Sequence, residues 1–192
     1  MAPRKHQELM TAAVQRDGLA QQALLSGDHA MARVEFAEAA KLYRQSWVQA
    51  PPSAYGRLVG MLKAAVLAGA GDSDARYARE ALADADPDSV TAAYARALAA
   101  LILADDSEAQ AWAGRMLGGG DAFARTGEAI AGIAARDAGR YEAALTAIVR
   151  DFEARTDHLT GVAIADTALV LATLAGRRGL AAAVESPVLP AL

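Results

Sequence analysis

His158 stands near Asp151, Asp157 and Asp166, and no other grouping in the 192-residue chain has residue types so suited to proton transfer. An imidazole titrates near neutrality, and a carboxylate beside it can orient the ring. A pocket near His158 is therefore one place where a small-molecule site or an enzyme would be expected. Ser46, Ser53 and Thr160 have no base at a spacing that would activate them as nucleophiles.

The other candidate motifs read as turns. Asp84-Ala85-Asp86-Pro87-Asp88 begins like a calcium loop, which needs glycine at its sixth position and a carboxylate at its twelfth. Ser89 and Ala95 occupy those positions. Asp105-Asp106-Ser107-Glu108 could present carboxylates to magnesium, but such chemistry wants a second cluster on a facing helix. The acids suit the positive N-terminal end of the helix that follows them. Gly69-Ala70-Gly71 and Gly118-Gly119-Gly120 follow helical stretches and lack the Lys-Ser/Thr of a phosphate loop. The chain contains neither cysteine nor asparagine, which excludes thiolate metal sites, disulfides and cysteine nucleophiles. Three histidines far apart in sequence disfavour a histidine metal site, so no metal and no cofactor is expected.

These residues must be positioned by helices. Hydrophobic residues make up 54% of the chain and aromatics only 5%, with alanine about a quarter of all residues. A β-sandwich or barrel would need more β-branched and aromatic side chains, whereas alanine favours closely packed helices. Helices are predicted near 5–25, 29–49, 53–68, 74–84, 89–104, 106–117, 122–137, 141–155 and 162–177. Gly27-Asp28, Gly71-Asp72, Asp105-Asp106 and Gly139-Arg140 punctuate them at roughly 34–44 residues, the interval of helical-hairpin repeats. Pro51-Pro52-Ser53 and Asp86-Pro87-Asp88-Ser89 are further breaks. In 29–49 the expected buried stripe is Ala32, Phe36, Ala39, Ala40, Tyr43 and Trp47; in 141–155 it is Ala144, Leu145, Ile148, Val149 and Phe152.

Gly27-Asp28-His29-Ala30-Met31-Ala32, followed by Phe36 and Ala39, resembles the second helix of a tetratricopeptide repeat. Gly139-Arg140-Tyr141-Glu142-Ala143-Ala144, with Ile148 after it and Ala131-Gly132 before it, resembles the same unit. The units near 71–84 and 105–117 keep only the alanines, so no regular array is expected. The resemblance implies a single all-α domain over 1–192, built of antiparallel helical hairpins in a short superhelix. The tail 180–192 is expected to be non-helical and to pack on the last hairpin through Val184, Val188 and Leu189. Leu171 to Leu180, then Val184-Glu185-Ser186-Pro187-Val188-Leu189-Pro190, is similar to the ending of the bacterial immunity protein 49 family. That similarity spans about 25 residues and implies a helical protein that neutralises a toxin.

Charge points to a partner. Residues 71–121 hold ten Asp/Glu and four Arg, a net −6 against +2 for the rest. An acidic face formed by Asp84, Asp86, Asp88, Asp105 and Asp106 would steer a basic protein and repel nucleic acid. Tyr43, Arg44, Trp47, Tyr55 and Arg57 flank the Pro51-Pro52 turn and would form a peptide groove of residue types common in hot spots. The leading expectation is a non-enzymatic protein-interaction module, in the form of an immunity-type inhibitor of a basic toxin. A peptide-binding adaptor and a small-molecule site near His158 are the alternatives. Alanine-faced helices also suit a homodimer. The polar start Met1–Gln7 and the absence of a ~20-residue apolar run predict a cytoplasmic protein without a membrane span.

Overall fold

The computed structural model describes residues 4–190. Among these the chain forms nine helices: α1 (Lys5–Leu25), α2 (His29–Gln49), α3 (Gly56–Leu67), α4 (Asp72–Ala81), α5 (Val90–Ile102), α6 (Asp106–Met116), α7 (Asp121–Ala135), α8 (Ala138–Glu153) and α9 (Asp166–Gly176). The fold is all-α, as the composition requires. Short polar turns join neighbours that pack on one another: α1 on α2, α2 on α3, α5 on α6, α6 on α7 and α7 on α8.

Local chemistry sets the helix starts. The Asp28 carboxylate accepts from the Met31 N–H at 3.0 Å, and Asp105 and Ser89 cap α6 and α5 in the same way. Gly27 supplies the left-handed residue (φ 78°) that ends α1. The Gly139-Arg140 break does not exist as expected. Asp137 caps α8 by accepting from the Arg140 N–H at 3.0 Å, and Arg136 itself takes the left-handed conformation (φ 56°). Gly139 therefore lies inside the first turn of α8.

Other boundaries differ too, and α4 runs from Asp72 to Ala81 in place of the expected 74–84. Residues 53–55 belong to the Pro51 turn and α3 starts at Gly56. The chain from 157 to 165 is irregular, and α9 begins only at Asp166. There the Ala165 N–H donates to the Val188 carbonyl at 2.7 Å, so the backbone pairs with the tail instead of continuing a helix. The tail is non-helical, with Val188 buried and Val184 and Leu189 packed against the core. The Ser186 hydroxyl donates to Glu153 and the Ala183 N–H to Glu142, fastening the tail to α8. Ala191 and Leu192, the end of the expected tail, lie outside the described residues.

The helices form two layers. α3 packs against α5 and α9, and α7 packs against the same two helices. The curl of the hairpins is thus tight enough for α9 to meet α3, and α3, α5, α7 and α9 make a closed inner ring. Within the ring, α3 and α7 lie across from each other. Alanine and glycine permit the close approaches. A Cβ placed on Gly132 of α7 would stand 2.7 Å from the Tyr141 backbone nitrogen of α8, whose ring is buried. No helix among the described residues is long and apolar enough to cross a membrane.

Candidate functional site

One end of the inner ring is not filled. A cavity of about 380 Å³ opens where α3, α5, α7 and α9 begin, with Gly56, Thr91, Ala122 and Asp166 from their first turns on its wall. Its volume falls in the range of small-molecule sites. Val59, Phe123, Ile148, Val162 and Ile164 supply an apolar lining. Two sets of charged side chains interrupt it.

The first set lies on the α1–α2–α3–α9 side. The Lys63 ammonium of α3 sits 2.5 Å from an Asp166 carboxylate oxygen and donates to the Thr167 hydroxyl at 3.1 Å. Burial is the largest single influence and acts to lower the Lys63 pKa, but the charge and hydrogen bond of Asp166 together with Tyr94 and Asp17 outweigh it, and the net shift is upward. Asp17 of α1 accepts from the Tyr43 hydroxyl at 2.6 Å. Gly60 makes this possible: a Cβ there would lie 2.8 Å from the Tyr43 ring, so only glycine lets that ring lie against α3. Burial pushes the Asp17 carboxyl up to about 6, although Tyr43 and Lys63 pull it back. Tyr94 of α5 is 9% exposed, and its hydroxyl has no hydrogen-bond partner among the described residues. Its ring meets Phe123 edge-on at 6.3 Å.

The second set lies on the α7–α8 side. One carboxylate, Asp151, accepts from Arg125 at 2.8 Å and from Arg155 at 2.5 Å. Two guanidinium ions share one anion, leaving a formal charge of +1. Arg155 also lies over the Phe152 ring at 3.9 Å, and the His158 ring stacks on the same phenyl ring with centroids 6.3 Å apart and an interplanar angle of 28°. The 157–165 segment crosses toward α1, where a Cβ on Gly18 would come 3.1 Å from the Thr160 carbonyl. That approach lets the Thr160 hydroxyl donate to Gln21 at 2.5 Å.

The residues singled out from sequence end up in different places. His158 does line the cavity. Its expected carboxylate partners are engaged elsewhere: Asp151 with Arg125 and Arg155, Asp166 with Lys63, and Asp157 with the Thr156 hydroxyl. The imidazole–carboxylate grouping is therefore not assembled. Asp84, Asp86 and Asp88 are exposed on the α4–α5 turn. Asp105 pairs with Arg79 at 3.2 Å and Asp106 with Arg178 at 2.6 Å, so these two acids are half-buried partners of arginine.

The expected groove is likewise occupied by internal contacts. Tyr43 and Tyr55 are buried, Tyr43 toward the cavity and Tyr55 beneath Asp86, whose N–H it accepts. Trp47 is half-buried against the Tyr55 ring at 5.9 Å, not fully in the core stripe, and Ser46 takes the buried position on that face. Arg44 lies over Tyr77 at 3.8 Å, and Arg57 donates to Ser46 and contacts the His6 ring. Phe152, expected in the α8 stripe, is half-buried at the cavity.

Asp17, Lys63, Tyr94 and Arg125 were not legible as a site. The one available signal was Lys63, a single charge among buried apolar residues at the C-terminal half of α3. The raised Asp17 pKa has a measurable consequence. An unfolded aspartate titrates near 4, so between about pH 4 and 6 the folded state holds the extra proton, and stability from this group falls as pH rises through that window. Asp17→Asn is expected to raise stability at pH 7 by about 1–3 kcal/mol and to flatten the pH dependence between 4 and 6. Urea unfolding at several pH values checks this; a loss of stability at pH 7 would refute it.

Comparison of the chain with protein-family models, with curated proteins and with solved structures gives no match.

Proposed function

We propose that this chain binds a small organic molecule in the cavity at the open end of its inner helix ring. The observation that supports this most is the preformed cavity of about 380 Å³ with charged side chains on its walls. The destabilising burial of Asp17 beside the same space adds to it. Groups held at a cost around a cavity are what a binding site needs, because a ligand repays the cost on arrival. The protein-docking reading has less support: Asp105 and Asp106 are engaged by arginines within the chain, and the groove aromatics are mostly turned inward.

A ligand-observed NMR screen with small aromatic and aliphatic acids, amines and amides tests the reading. At least one compound is expected to bind at or below about 1 mM, and Thr91→Trp, which fills the cavity from the start of α5, is expected to abolish that binding while circular dichroism stays unchanged. A screen without binders, or binders indifferent to the tryptophan, would reject the cavity as the site.

A further inference from the structure

The charges around the cavity are not mixed at random; they are sorted to opposite walls. Asp17, Lys63 and Asp166 on the α1–α3–α9 side carry one excess negative charge. Arg125, Asp151 and Arg155 on the α7–α8 side carry one excess positive charge. α3 and α7 are opposite members of the four-helix ring. Packed helices stand about 8–10 Å apart, so opposite members are separated by more than one such spacing. Asp17 uses one carboxylate oxygen for Tyr43 and has no cation within ion-pair distance among the described residues. On the other wall, Arg125 and Arg155 spend only part of their donors on Asp151. Between the poles, α5 borders both α3 and α7 and contributes Thr91 and the Tyr94 ring to the wall. The remaining lining is mostly apolar, with Gln21, Thr126, His158 and Thr160 among it.

Resting on the cavity as a binding site, we infer that its ligand is a short apolar peptide with free termini, its ammonium at Asp17 and its carboxylate at Arg125 and Arg155. A fixed negative charge lacking a cation is matched by an ammonium, and guanidinium ions with spare donors are matched by a carboxylate. The two charges of such a ligand lie at its ends, as the two poles of the cavity do. A free α-amino acid carries both charged groups on one carbon and cannot address both walls. The apolar side chains of such a peptide suit the walls formed by Val59, Phe123 and Ile148.

Isothermal titration with four forms of alanyl-phenylalanine tests this: free, N-acetylated, C-amidated and blocked at both ends. The free dipeptide is expected to bind at least about tenfold more tightly than either singly blocked form, and about a hundredfold more tightly than the doubly blocked one. Asp17→Asn should remove the preference for a free amine and keep that for a free carboxylate; Arg155→Gln should do the reverse. Equal affinity for all four forms, or tightest binding of the blocked one, overturns the peptide assignment and leaves the cavity reading intact. Silence from every dipeptide while the screened fragments still bind does the same. If neither dipeptides nor fragments bind, both readings fall.

Discussion

Arg178→Ala is expected to lower the free energy of unfolding by about 3–5 kcal/mol, the cost of removing one partner from a buried ion pair. The Arg178 side chain is 6% exposed. It donates to Asp106 through Nε at 3.0 Å and Nη2 at 2.6 Å, to the Leu101 carbonyl at 2.7 Å and to the Leu174 carbonyl at 3.3 Å. Those carbonyls lie in the last turns of α5 and α9, where helices leave acceptors unpaired and carry partial negative charge. One guanidinium thus closes two helix C-termini and holds the carboxylate that begins α6. Truncation leaves the Asp106 carboxylate without its cation and takes a donor from the Leu174 and Leu101 carbonyls, of which Leu101 keeps the Ala104 N–H. Chemical denaturation measures the loss. Arg177→Ala is the control, because that side chain makes one exposed contact with the Ala70 carbonyl and should change stability by less than about 0.5 kcal/mol. Similar small losses for both variants would show that Arg178 is not the tie between these helices.

Gly132→Ala is expected to cost about 2 kcal/mol, against the usual sign of that exchange. In a helix interior alanine is normally favoured over glycine by about 1 kcal/mol. At Gly132 the new methyl group would lie 2.7 Å from the Tyr141 nitrogen and 3.0 Å from its Cα. Those are backbone atoms, so α7 and α8 must move apart, and overpacking of this kind costs about 1–3 kcal/mol. Gly114→Ala in α6 provides the opposite case: nothing lies within 4 Å of its added Cβ, and the exchange should stabilise by about 0.5–1 kcal/mol. Thermal unfolding of the pair reads out two shifts of opposite direction. If Gly132→Ala is neutral or stabilising, the close approach does not constrain the hairpin.

Most elements were readable because helix formation is local. The aspartates and serine that cap α2, α5 and α6 act within three residues of themselves, so their side chains mark the starts directly. The α8 start was misplaced because Gly139 has the look of a terminator, while Arg136, a residue without that signal, adopts the left-handed turn. The late start of α9 had another origin. Its first expected turn lends an N–H to Val188, more than twenty residues onward, and such a pairing leaves no local trace. His158 was found at the cavity edge, yet its proposed carboxylates were distributed among Arg125, Arg155 and Lys63 by contacts between separate helices.

The amino-acid order by itself determined that this chain is helical, where most of its helices begin, and that small residues would let them pack closely, because capping and the 3.6-residue apolar period act over a few neighbouring positions. Only the tertiary structure decided that α9 would close the ring against α3, that a cavity would remain at the ring's end, and that Asp17, Lys63, Tyr94 and Asp166 would meet there. Those four residues lie on four different helices. Their convergence depends on the directions in which whole helices are packed, a property that no stretch of sequence holds alone.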